Sequence, residues 1–138
     1  RGALDALAAR LAAERRAVLD PRLVETGRRA ARGRDIPAMV EADIAFHEAI
    51  YAASGNPLIG QSARLHWVHL RRVMGAVLQQ SRQREALWDE HAAIAAAIAR
   101  GDADGAARLI DHHGRRASEN LLARLADVLA PPNRKGQS

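Results

Sequence analysis

The 138-residue chain contains no cysteine. Disulfides, iron–sulfur clusters and thiolate metal sites are therefore excluded. Aromatic residues are almost as scarce, with one phenylalanine, one tyrosine and two tryptophans. Valine, isoleucine and threonine are also few. Strands draw on these β-branched and aromatic residues, so an all-β or α/β fold is close to excluded. No apolar run approaches the ~20 residues that span a bilayer, and no signal peptide is visible. These absences point to a soluble, cytoplasmic protein with no membrane partner. What is abundant is alanine, with 31 residues, and leucine, with 15. Both enter helices at little cost. The length suits one domain with a modest core. The expected fold is all-α, an antiparallel bundle of about six helices. The first residue is Arg1 rather than a methionine, which reads as a piece of a longer chain.

Charge is spread unevenly. The net charge is +5, and 20 of the 21 basic residues are arginine. Residues 1–34 hold nine basic and four acidic side chains, while residues 35–138 hold twelve of each. A basic excess suggests a polyanionic partner. A solvated arginine face on the early helices accounts for it better. The opening segment has no aromatic residue on which a base would stack, which weakens direct nucleic-acid binding.

Glycine, proline and capping residues divide the chain. Leu4, Leu7 and Leu11 share one face of a first helix over about 1–16. Asp20-Pro21 opens a second helix that runs to about Gly33. Asp35 and Pro37 open the third, which ends at Ser54-Gly55. Asn56 caps the fourth, which runs to about Gln80. Ser81 is a weaker cap for the fifth. Gly101-Asp102 combines a helix-ending glycine with a new cap, so the sixth helix covers 103 to about 129. Residues 130–138 read as a disordered tail.

Polar residues interrupt the apolar stripes. The third helix carries Ile36, Met39, Val40, Ile50 and Tyr51 on one stripe, and the same spacing lands on Asp43 and His47. A carboxylate and an imidazole facing a core are costly unless paired or bound. The fifth helix repeats the pattern with Leu87, His91, Ile94 and Ile98. The sixth does so with Ala106, Leu109, Ile110, His113 and Ala117. Taken singly, such a histidine is more often a hydrogen-bonded core residue than a ligand. The hairpin between the last two helices raises the significance of the pair. His91 and His113 both fall roughly 15–18 Å from the turn, so they face each other at one level. Three histidines and an aspartate are donors that a divalent transition metal takes. An open position would leave room for water or a ligand's carboxylate.

His112 is the alternative to His113, but its helical neighbours Gly105, Arg108 and Arg116 form a polar face. His66 and His69, on the fourth helix, come level with Asp43 and His47. They either border the same cavity or face solvent. Arg72 lies one turn beyond His69. Pointing inward it would suit a bound carboxylate; otherwise it is one more exposed arginine. A metalloenzyme is the rival class, since a three-histidine site supports metal-assisted hydrolysis. The paired Glu-x-x-His motifs of di-iron bundles are missing. Glu48 and Glu90 adjoin candidate ligands in the sequence but fall off the stripes, so no general base is evident and no catalysis is expected.

Three segments then stand out in order: ALDALAARLAAERR at 3–16, DIAFHEAIYAASGNPL at 43–58 and EHAAIAAAIARGDADGAARLIDHH at 90–113. With them the chain resembles the ligand-binding domain of GntR-family transcription regulators, of the FCD type. The resemblance implies an effector-binding and dimerisation domain over 1–129. It implies metal ligands at Asp43, His47, His91 and His113, holding Zn²⁺ or Ni²⁺. It further implies a small organic acid in contact with the metal, and a homodimer. Members carry a winged helix-turn-helix domain ahead of this one, and this sequence does not include it. Operator DNA would be a partner only through that domain.

Overall fold

Short local hydrogen bonds set the helix boundaries in the computed structural model, which describes residues 1–80 and 84–130. Side chains at 76, 77, 79, 80 and 128 fall outside that description, as do the expected cap at Ser81 and the expected tail past 130. Among the described residues there are six helices and no strand: α1 (Gly2–Glu14), α2 (Arg22–Arg32), α3 (Ile36–Ala53), α4 (Pro57–Gln80), α5 (Arg84–Arg100) and α6 (Ala103–Leu129). Asp35 accepts the Ala38 N–H at 3.1 Å to start α3. Asn56 accepts the Leu58 N–H at 3.1 Å ahead of α4, and Asp102 accepts the Gly105 N–H at 2.9 Å to start α6. Gly55 and Gly101 take left-handed φ of 73° and 76° directly after α3 and α5, a conformation glycine adopts without a Cβ penalty. The second helix ends at Gly33 as expected, but without a left-handed glycine. Gly33 keeps a right-handed φ of −77°, and Arg34 takes the left-handed turn at 53°.

The fold is all-α, and α1 runs through the middle of it, packed against α3, α4, α5 and α6. Its buried face corrects the leucine stripe. Asp5, Ala8, Ala9, Ala12 and Ala13 face inward, Leu4 and Leu11 lie at the flanks, and Leu7 is exposed. Alanine lets the neighbouring helices approach closely, and the longer leucines are left to cover the seams. Leu109 is likewise exposed rather than buried in the α6 stripe. Two apolar clusters result. The larger gathers the α1 alanines with Phe46, Ile50, Ile94, Ile98 and Ile110. The smaller gathers Ala30, Ala31, Met39, Val40, Leu78 and Trp88. Along α3, Asp43 and His47 lie between residues of the two clusters, and so does His91 along α5. No helix among the described residues is long and apolar enough to cross a membrane.

Candidate metal centre

Asp43, His47, His91 and His113 are all buried. One donor atom from each lies within 4.8 Å of the others. The arrangement follows from three helices that place polar side chains in apolar stripes at the same depth, two from α3 and one each from α5 and α6. His91 Nε2 is 2.8 Å from Asp43 Oδ1, and His47 Nε2 is 3.9 Å from the same oxygen. The His91 and His113 rings meet edge to face, with centroids 4.5 Å apart. Trp88 stacks on His91 with centroids 4.4 Å apart, and Phe46 stands perpendicular to the same ring at 4.6 Å. These aromatics shut water out of the cluster on that side.

Proton bookkeeping decides what the cluster can hold. His91 Nδ1 donates to the Leu87 carbonyl at 2.7 Å. In its neutral form the ring turns an Nε2 lone pair toward the Asp43 carboxylate. Two acceptors at 2.8 Å require a cation, a proton or a metal ion, between them. His113 Nδ1 lies 2.8 Å from Glu90 Oε2, which leaves its Nε2 lone pair free in the same way. Both ring nitrogens of His47 are buried without a hydrogen-bond partner. An orphaned buried imidazole is costly in a finished core and fits a residue meant to ligate. Burial pushes the Asp43 carboxyl up, but the imidazoles of His47, His91 and His113 outweigh it and hold it well below the usual carboxylate range. Burial, with help from His91 and His47 and against the pull of Asp43, drives His113 down to about 4. Asp43 is thus ionised and His113 neutral at neutral pH, the forms that bind metal. Among the described residues the donor set fits a divalent transition ion, with nitrogen and oxygen ligands and no sulfur.

A cavity of about 120 Å³ adjoins the cluster, with Asp43, His91 and His113 in its wall. The rest of the wall is mainly apolar: Leu70, Val73, Met74, Leu78, Leu87 and Leu121, with Trp88 beside them. Arg1 also reaches it. One terminal nitrogen of that guanidinium is buried without a partner, and its carbon sits 4.8 Å over the Trp67 ring.

Other residues singled out from the sequence fall elsewhere. His66 and His69 are exposed and line a wider, open cavity of about 600 Å³ with Asp5, Asp111 and Arg115, not the apolar one. Arg72 is exposed and lines neither cavity. Leu70 and Met74 point inward, and a position two residues after Leu70 is rotated about 200° around the helix. Arg1 occupies the place by the pocket envisaged for Arg72. His112 is exposed, as its polar neighbours implied. Glu90 does not point away from the cluster: it bonds His113 and pairs with Arg116. Asp5 was not singled out at all. It is 2 % exposed, accepts the Tyr51 hydroxyl, and lies 3.6 Å from His47 Nδ1. Burial pushes its carboxyl up, but His47, Arg1 and Tyr51 outweigh that and keep it ionised. The signal for it was present, because an acid within the alanine face of α1 is the same anomaly as Asp43 in α3.

A family model described as the FCD domain matches residues 1–116. The chain belongs to the FCD domain family. FCD domains are ligand-binding regulatory domains, and the all-α architecture and the buried aspartate–histidine cluster of this FCD domain fit that role. No curated protein matches the chain.

Proposed function

We propose that this FCD domain is the effector-sensing module of a GntR-type transcription regulator, using Asp43, His47, His91 and His113 to hold a divalent metal, Zn²⁺ or Ni²⁺. The observation that carries the reading is the convergence of four buried donors beside a cavity. A divalent ion there supplies a Lewis-acid position at which a ligand's carboxylate completes the coordination. The ligand is a small carboxylate. The cavity of about 120 Å³ is well below the roughly 300–1,000 Å³ of drug-sized sites. Its apolar wall favours a short hydrocarbon tail over a polyhydroxylated one, since hydroxyls buried against leucine and valine lose their hydrogen bonds. The unpartnered guanidinium nitrogen of Arg1 supplies a cation for the carboxylate. The domain acts as a homodimer. DNA is contacted by a winged helix-turn-helix domain ahead of α1, and the effector works by binding two states of the bundle with different affinity.

The enzyme reading needs a base beside the cluster. Glu90, the acid nearest the cluster in this role, is committed to His113 and Arg116.

Metal analysis of the purified protein tests the site. One divalent ion per chain is expected, absent from the variant carrying His47→Ala, His91→Ala and His113→Ala. Zinc at 100 times its Kd is expected to stabilise the native protein by about 2.7 kcal/mol, read as a rise in Tm that the triple variant lacks. Undiminished metal content in the triple variant overturns the assignment. With the metal in place, short monocarboxylates should bind about fourfold tighter per added methylene until the cavity is full, and citrate should bind more weakly.

A further inference from the structure

We propose that Asp5 is a positioning residue for His47, and that it ties the metal-ligand cluster to α1. The inference rests on the metal-site reading above and goes beyond it. Each ligand histidine needs its second ring nitrogen held if the first is to face an ion. For His91 the holder is the Leu87 carbonyl, at 2.7 Å. For His113 it is Glu90, at 2.8 Å. His47 has no hydrogen bond at either nitrogen. Its ring instead lies between two carboxylates, with Nε2 3.9 Å from Asp43 Oδ1 and Nδ1 3.6 Å from Asp5 Oδ1. A closure of about 0.5 Å brings Nδ1–H and Asp5 within hydrogen-bond range. That bond keeps the proton on Nδ1 and turns the Nε2 lone pair toward Asp43, His91 and His113.

Asp5 is itself firmly placed. The Tyr51 hydroxyl donates to it, and Arg1 Nε lies 3.7 Å from its other oxygen. A carboxylate 2 % exposed in the first turn of a helix is costly unless its charge is used. The four ligands come from α3, α5 and α6, whereas Asp5 comes from α1. Movement of His47 onto an ion therefore draws Asp5, and the start of α1 with it. Whatever precedes α1 in a longer protein is reached through this contact.

The test compares wild type with Asp5→Ala and Asp5→Asn, and with Tyr51→Phe as a control that removes the hydroxyl donated to Asp5. Zinc affinity is measured by competition with a chromophoric chelator, and Co²⁺ replaces zinc to report ligand geometry through its visible bands. Asp5→Ala is expected to weaken zinc about 100-fold and Asp5→Asn, which keeps one acceptor, about 10-fold. Both should alter the cobalt bands, while Tyr51→Phe should change either readout much less. In hydrogen exchange, metal should slow α1 amides in wild type and lose that effect, but not its effect on α3, in Asp5→Ala. If Asp5→Ala does not fold, the near-isosteric Asp5→Asn carries the test. A folded Asp5 variant with zinc affinity within threefold of wild type and unchanged cobalt bands overturns the proposal alone. A wild-type protein that takes up no metal overturns the site reading and this proposal together.

Discussion

Around Ile50, Ile94, Ile98 and Ile110, side chains from α3, α5 and α6 interlock with the alanines of α1 at essentially zero exposure. Around Met39, Leu78 and Trp88, the second cluster opens onto a cavity instead. The cavity's wall includes three of the four buried polar residues of the candidate metal centre. The difference shows a division of labour within one small bundle. A closely packed half supplies the stability from which the cavity half can spend some on unpaired imidazoles and empty space. Binding regions generally come from the less stable parts of a fold for this reason.

Large-to-small substitutions break the comparison most directly. Ile98→Ala removes a fully buried side chain from the packed cluster and is expected to cost about 2–5 kcal/mol in denaturant unfolding. Leu87→Ala trims the cavity wall, where neighbours already leave space, and should cost about 1 kcal/mol. Equal losses at the two positions would erase the distinction.

Acid should act on the cavity half. In the unfolded chain His113 takes a proton near 6.5, and in the folded metal-free protein only near 4. Between those values the unfolded state binds more protons. Stability of the metal-free protein therefore falls as pH drops from about 6.5 to about 4, by on the order of 3 kcal/mol, and this contribution is constant above 6.5. Thermal melts across that range, with His113→Gln as the variant that flattens the slope, check the expectation.

Gly27 gives the sharpest effect for the site. A Cβ at this position would come 2.1 Å from the Trp88 ring, and that ring stacks on His91. Gly27→Ala should cost about 1–3 kcal/mol through forced repacking. It should also weaken zinc binding measurably although it touches no ligand. A stability loss with unchanged zinc affinity would show that Trp88 moves without disturbing His91.

Much of this was legible beforehand because helices advertise themselves locally. Asp35, Asn56 and Asp102 cap helices where their side chains suggested, and a polar residue at a stripe position marks a buried anomaly whatever its neighbours. Illegible were the matters that depend on rotation and on partners. Leu7 faces out because alanine, not leucine, lets α1 sit at the centre. Arg72 faces out because Leu70 and Met74 take the inward side of α4. Glu90 turned from bystander to partner of His113 because α6 passes beside it.

The sequence by itself determined the helical class, the turns and the set of four polar residues that share buried stripes. These follow from propensity, capping and a 3.6-residue period, all of which act within a few residues. Only the tertiary structure decided which groups of other helices come beside those residues, Glu90 beside His113 and Asp5 across 42 positions from His47. It alone decided that the space beside them is small, apolar and reached by Arg1. Such contacts form between helices distant in the chain. Their geometry depends on how each helix is rotated when its smallest side chains pack.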